Sequence, residues 1–298
     1  MDRALGIDVR ALARPEIFAL LAAIINGSIG IFTRFAFEFD DGLSPVALAF
    51  WKCFLAFLII CLIGFGNRQT KQEIIRHSKH WYQFALLGFL GIFCLYFFET
   101  WAFYHASIPL VSFLTYAAGG VTVFLSAFFL KERLTLNKMA AFFSIMAGVC
   151  CLLLFESDVH GGYLGFILAL LGGLGYALFI FISKLLKVGG GVAQLFWLFA
   201  FGSLYLSVPY FWDFYLPNGM AWLMIICLVL LPTIGGFYLT TKAIEYGEAS
   251  KVQIIETSDP LFATLLASMI FGDVLSATGY IGSLLIFIGI IMMMKSSK

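Results

Sequence analysis

The chain alternates between long apolar runs and short polar breaks, with little else along its length. A membrane-spanning helix needs roughly 20 mostly apolar residues. Ten runs meet or approach that length: 15–37, 45–65, 82–104, 109–130, 138–155, 162–183, 192–211, 221–242, 250–271 and 277–294. Helix-stopping residues sit at the breaks, namely Gly42, Pro45, Pro109, Gly161-Gly162, Gly189 to Gly191, Pro217 and Gly219. One break is longer, 66–81, and reads as a polar loop. No segment is left over for a soluble domain. The pattern predicts an all-α membrane protein with ten transmembrane helices.

Two stretches share one layout. Ala102 to Thr135 aligns without a gap on Ala243 to Ser276, pairing Val111 with Val252, Leu134 with Leu275, and Lys131-Glu132 with Gly272-Asp273. Asn26 to Arg34 (NGSIGIFTR) matches Tyr176 to Lys184 (YALFIFISK), and Val46 to Trp51 (VALAFW) matches Val192 to Trp197 (VAQLFW). The matches fall in the same order, so the chain divides into two five-helix repeats, 1–156 and 157–298. An odd number of helices per half places the halves in opposite orientations.

Basic residues agree with that inversion. With a cytoplasmic N-terminus, the inner segments hold Arg3, Arg10, Arg14, Arg68, Lys71, Arg76, Lys79, Lys131, Arg133, Lys138, Lys184, Lys187, Lys242, Lys251, Lys295 and Lys298. The remaining two of the 18, Arg34 and Lys52, lie within the first two helices. The outer loops carry acids instead: Glu38, Asp40, Asp41, Glu156, Asp158, Asp213 and Asp273. This asymmetry predicts cytoplasmic N- and C-termini in a cell inner membrane. It also accounts for Lys131 and Arg133 becoming Gly272 and Val274 in the second copy, where the same turn faces outward.

Composition reinforces the pattern. The chain is 62% hydrophobic and 12% charged, with a mean hydropathy of +0.99, whereas soluble domains run about 45–50% apolar and about 25% charged. A net charge of +1 gives no reason to expect a nucleic-acid partner. The expected partners are the lipid bilayer and a small-molecule substrate, and a homodimer is compatible with both. All six cysteines fall in apolar runs, as small buried hydrophobes do. The first run is long and lacks a small-residue cleavage site, unlike a cleaved signal peptide. Enzyme and nucleotide motifs are missing: no His-Glu-x-x-His, Walker Gly-Lys-Ser/Thr, Cys-x-x-Cys or Gly-x-Ser-x-Gly occurs. No catalytic residue, metal site or cofactor is expected. His77 and His80 read as part of a solvated basic loop.

Ionisable groups at membrane depth are costly, so each is a candidate functional group. Arg34 is near a helix end and can snorkel to the headgroups. Lys52 and Glu99 lie roughly 10 Å and 8 Å deep at 1.5 Å per residue, which makes a Lys52–Glu99 ion pair the bland expectation, with Arg34 the competing partner for Glu99. Glu256 and Asp259 are three residues apart, on one face of the ninth helix. Asp259 is roughly 14 Å deep, near the bilayer midplane, with no base at its level in the second half. The two carboxyls are either hydrogen-bonded to neighbouring helices or a site for a proton or a substrate ammonium group. Pro260 weakens the helix there, as transporter sites often require. In the fourth helix the mirror positions are Thr115 and Ala118, beside Tyr116 and Gly119-Gly120, so Gly119, Gly120 and Pro260 would weaken two helices at one level. Close packing also accounts for the glycines. Trp51, Tyr96, Trp101, Tyr104, Tyr176, Trp197 and Tyr238 lie in helices expected to approach a central cavity, while Trp81, Trp212, Tyr215 and Trp222 fit an interfacial belt.

These features resemble the drug/metabolite transporter superfamily, EamA family, over about residues 15 to 294. The resemblance rests on the small-residue first helix (Asn26-Gly27-Ser28) and a second helix running from Pro45 to the base Lys52. It rests also on two fourth-helix ends, Leu130-Lys131-Glu132-Arg133-Leu134-Thr135 and Phe271-Gly272-Asp273-Val274-Leu275-Ser276, which are similar to Leu-Gly-Glu-x-Leu-Thr. Lys131 and Asp273 depart from that pattern. The resemblance implies a secondary transporter working by alternating access, with an amino acid or related amine as the expected cargo. A multidrug or organic-cation exporter and a non-transporting structural or receptor-like membrane protein remain alternatives.

Overall fold

The computed structural model describes residues 14–155, 162–271 and 277–295. The expected outer turn at Gly272-Asp273, the repeat boundary at 156/157, and Arg3, Arg10, Glu156, Asp158 and Lys298 lie outside the described residues. The first apolar run forms α1 (Pro15–Asn26) and α2 (Ile29–Phe39), and the second forms α3 (Pro45–Gly66). Then come α4 (Arg68–His77), α5 (Trp81–Gly88), α6 (Leu95–His105), α7 (Ile108–Ala117), α8 (Gly120–Phe129) and α9 (Leu136–Phe155). The second half holds α10 (Tyr163–Leu186), α11 (Val192–Trp212), α12 (Ala221–Leu228), α13 (Phe237–Tyr246), α14 (Ala249–Glu256), α15 (Asp259–Phe271) and α16 (Ala277–Lys295). Among the described residues, 7 helical stretches are long and apolar enough to cross a membrane, with two shorter apolar helices at Leu136–Cys151 and Tyr280–Met293.

The loop expected at 66–81 is instead helical over Arg68–His77, and the physical reason is local. Asn67 caps its first turn, accepting from the amides of Gln69 (2.9 Å) and Thr70 (3.3 Å), and Ile74 is the buried contact of an otherwise polar helix. His77 stacks on Phe84 while His80 edges Tyr82, so the two imidazoles do not converge.

Three apolar runs are broken near their middles. At Gly27-Ser28 the chain presses against α15, where a Cβ on Gly27 would come within 2.8 Å of the Ala263 nitrogen. At Ala118-Gly119 the side chain of Gln253 fills the space a Cβ would need. Between α14 and α15, Thr257 and Ser258 donate their hydroxyls back to the carbonyls of Gln253 (2.8 Å) and Ile255 (2.6 Å), a competition that bends helices. Pro260 stands in the first turn of α15, just after this break, where a proline is tolerated.

Two further helices contain π-helical turns, Phe89–Cys94 between α5 and α6 and Val229–Gly236 between α12 and α13. Pro232 accounts for the second by removing one amide from the ladder. Both turns are contact points. Phe179 of α10 lies over Gly91, and Asn26 of α1 lies over Gly236. The core is built on α14 and α15, where every residue from Val252 to Leu261 is buried. A helix segment buried all round belongs to the interior rather than to lipid. Around it stand α1, α7, α8, α10 and α13, while α9 and α16 pack along each other.

Candidate functional site

The break before α15 places Glu256 and Asp259 at the centre of the molecule, 0% and 2% exposed. Glu256 ends α14 and is fully engaged. Its Oε1 accepts from Thr240 Oγ1 of α13 (2.6 Å) and its Oε2 from the Tyr176 hydroxyl of α10 (2.7 Å). Tyr176 and Thr240 also touch each other at 3.3 Å. Asp259 opens α15, where the amide dipoles of a helix start favour negative charge. The hydroxyls of Tyr116 and Ser112 from α7 lie against its carboxyl, yet its Oδ2 has no hydrogen-bond partner among the described residues.

The Lys52–Glu99 ion pair expected from depth is not formed among the described residues. Lys52, 2% exposed, donates to Thr100 Oγ1 at 3.0 Å and stands 4.2 Å from the Tyr96 ring centroid, a cation–π contact that helps hold the buried ammonium. Thr100 is one helical position from Glu99, so the lysine met the neighbour rather than the acid. Arg34 does not reach Glu99 either; it pairs with Glu38 one turn on, at 2.9 Å, exposed at the helix end. Glu99 is 3% exposed, its Oε2 has no hydrogen-bond partner among the described residues, and it lies near enough to both Lys52 and Asp259 for their charges to interact.

Aromatic rings join the two charged ends. Tyr96 meets Phe237 edge-on at 5.8 Å, Phe237 meets Tyr176 at 6.0 Å, and Tyr176 meets Tyr116 at 6.0 Å. The site therefore holds three acids and one base along a wall of rings. Full ionisation would leave two negative charges without a counter-ion in a desolvated interior, so the arrangement can take up protons or a cation. No group of three His, Cys, Asp or Glu is placed to hold a metal ion among the described residues.

Other candidates are elsewhere. Trp51 donates its Nε1 to the Tyr215 carbonyl (3.0 Å) and Trp197 to the Ile74 carbonyl (3.0 Å), so both indoles face connecting segments, not the centre. Tyr238 and Tyr104 are exposed. Trp101 stacks on Phe97 near His105, with its Nε1 unpartnered among the described residues. Thr115 bonds the Ala169 carbonyl at 3.4 Å and its backbone seats Gly173 of α10, a packing role. Gly119 likewise admits Gln253, whose Oε1 accepts from Thr122 at 3.1 Å; Gly120 meets Phe142 in ordinary contact.

Sequence reasoning overlooked Thr240, Phe237 and Ser112, since hydroxyls and phenylalanines are too common in this chain to stand out. It also left Glu132 without a role. That carboxylate accepts from the amides of Ala249 (2.8 Å) and Ser250 (3.0 Å) and from the Ser250 hydroxyl. It thus caps α14, the helix that carries Glu256. Lys138 ties the same corner to Glu248 and, at 3.2 Å, to Ser250.

Two segments of the chain, residues 13–154 and 163–295, each match the model of the EamA-like transporter family. A protein of Archaeoglobus fulgidus named an uncharacterized transporter is 27% identical over 288 residues, spanning 95% of this chain and 97% of its own. A solved crystal structure superposes with a TM-score of 0.78 over 95% of this chain and 99% of its own, at 17% identity, which shows a shared fold.

Proposed function

Because the chain belongs to the EamA-like transporter family and is a multi-pass membrane transporter, we propose that it moves a small ammonium-bearing metabolite, such as an amino acid or related amine, by proton-linked alternating access. The observation that carries this reading is the pair of unpartnered carboxyl oxygens, Asp259 Oδ2 and Glu99 Oε2, both buried and close enough for their charges to interact. A substrate ammonium or a proton would satisfy them, while Lys52 supplies a cation for a substrate carboxylate at the far end of the ring wall. The aromatic lining also favours a second reading, a flat organic cation held by ring faces.

Alternating access would come from two inverted five-helix repeats spanning the membrane ten times. Supporting this, the packing partners correspond between halves. The first helix of the chain, α1–α2, packs on α12–α13 and on α14–α15, as α10 packs on α5–α6 and on α7–α8. The π-helical turns at Phe89–Cys94 and Val229–Gly236 occupy matching places in the two halves. Two separate matches to one family model follow the same division. The Lys-rich ends would face the cytoplasm of a cell inner membrane.

The test is flux in proteoliposomes with imposed pH gradients, comparing the parent with Asp259→Asn at equal reconstitution. The expected result is loss of pH-driven uptake of the amine substrate. Unchanged flux with unchanged pH dependence would remove Asp259 from the mechanism, and no saturable flux of any solute by the parent would remove the transport reading itself.

A further inference from the structure

A second candidate site lies away from the centre. A vestibule of about 810 Å³ opens between the start of α1, the end of α10 and the α13–α14 corner. Most of its charged lining is already committed. Glu132 caps α14, Glu248 pairs with Lys138, Glu245 pairs with Lys242 at 2.8 Å, and Lys184 donates to the carbonyls of Ile244 (2.9 Å) and Glu245 (3.4 Å). Lys251 leans on Glu248 at 3.7 Å, Lys187 stands exposed at the edge, and two buried polar groups in the lining are not committed. Glu16 is 5% exposed and its Oε2 has no partner among the described residues. Ser183 is 2% exposed and its hydroxyl has none either.

We propose that Glu16 and Ser183 form a vestibular subsite for a primary ammonium group, separate from the central carboxyls. A buried polar group left unsatisfied is rare and calls for a partner. The two unsatisfied groups here are a carboxylate, which only accepts, and a hydroxyl, which accepts as well as donates; a primary ammonium offers three donors to them. An anion would face the one uncommitted buried carboxylate. A calcium-like cation takes 6–8 oxygen ligands, and the other carboxylates of the lining are occupied by lysines and backbone amides. A substrate amine would dwell here on its way to or from the membrane centre. The subsite does not depend on Asp259, so the two sites can fail independently.

The test uses saturation-transfer difference NMR on the full-length protein in nanodiscs, with n-butylammonium as probe and empty nanodiscs subtracted. In an Asp259→Asn background the probe should still bind, and adding Glu16→Gln should weaken that binding by about tenfold or more, the worth of one charge-assisted hydrogen bond. Ser183→Ala, which removes one atom from a packed helix, should weaken it less and in the same direction, so a folding defect in Glu16→Gln does not decide the matter alone. Tetramethylammonium, which has no N–H donor, should give no Glu16-dependent signal. Binding that is unchanged by both substitutions, or a Glu16-dependent tetramethylammonium signal equal to that of n-butylammonium, would overturn the subsite. Loss of all n-butylammonium binding in Asp259→Asn alone would also overturn it, and would leave the central reading standing.

Discussion

Replacing Tyr176 with phenylalanine isolates one hydrogen bond at the centre of the protein. The ring contacts with Tyr116, Phe179 and Phe237 survive, all at centroid distances near 6.0 Å, and only the hydroxyl is lost. That hydroxyl donates to Glu256 Oε2 at 2.7 Å, an unstrained O–H···O distance. Glu256 is 0% exposed, so water does not replace the missing donor. Hydrogen bonds to charged groups contribute about 1.5–3 kcal/mol, and Thr240 still serves the other oxygen, so a loss of about 2 kcal/mol is expected. For a chain of this size that corresponds to a fall of roughly 4 °C in melting temperature. The assay is thermal unfolding of purified protein in one detergent, for the parent, Tyr176→Phe, Thr240→Val and the double variant. The double variant should cost more than the sum of the singles, because it removes the last donor from a buried carboxyl; couplings between neighbours run about 0.5–3 kcal/mol. A Tyr176→Phe protein melting within about 1 °C of the parent, with additive behaviour in the double variant, would show that these hydroxyls do not hold Glu256.

Three further outcomes follow from the geometry. Gly173→Ala would drive a Cβ into the Thr115 carbonyl, with the Thr115 Cα and carbonyl carbon each 2.7 Å away. Both sides are backbone and cannot rotate aside, so a loss of about 3 kcal/mol is expected in thermal unfolding, and a parental melting temperature would contradict the packing. Glu132→Ala removes the acceptors of two α14 amides; it should cost about 1–2 kcal/mol and speed hydrogen exchange at Ala249 and Ser250, with unchanged exchange the refuting result. Tyr215, in the connection before α12, donates to Asp40 Oδ1 at 2.6 Å, and that bond beside a carboxylate raises its pKa above the ordinary 10.0. A raised pKa gives stability that is fully present below the unfolded value and lost as pH rises through the folded one. The melting-temperature gap between parent and Tyr215→Phe should therefore hold up to about pH 10 and close above it; a gap independent of pH through the tyrosine range would refute the Asp40 contact.

Much of the architecture is legible in the sequence, and the reasons are local. Run length and the spacing of Pro and Gly depend on a few neighbouring residues, so the ten apolar runs are mostly helical where described, three of them with a break near the middle. The polar stretch after Gly66 reads as a loop, yet a cap at Asn67 and one buried Ile74 suffice to form a short surface helix. Depth along a helix is also a one-dimensional quantity, which is why Lys52, Glu99, Glu256 and Asp259 stood out as buried charges. Depth does not give the facing partner. Lys52 and Glu99 share a level, yet the lysine turned to Thr100 and the Tyr96 ring. The sequence does not orient Trp51 and Trp197, because an apolar helix surrounded by apolar residues has no distinct polar face; both indoles bond connecting segments rather than face the centre.

The sequence alone determined that this is a helical membrane protein whose costly groups lie in the second, third and ninth apolar runs. Hydropathy, helix length and the desolvation of charge are properties of single segments, and no packing is needed to read them. Only the tertiary structure decided which acid is satisfied and which is not. Glu256 meets Tyr176 and Thr240, 80 and 16 residues away, while Asp259 Oδ2 and Glu16 Oε2 accept no hydrogen bond among the described residues. Hydrogen bonds between helices depend on rotation and crossing geometry, which close packing of several segments sets together. The unsatisfied oxygens therefore become visible only once the helices are assembled, and the proposed proton and ammonium sites rest on them.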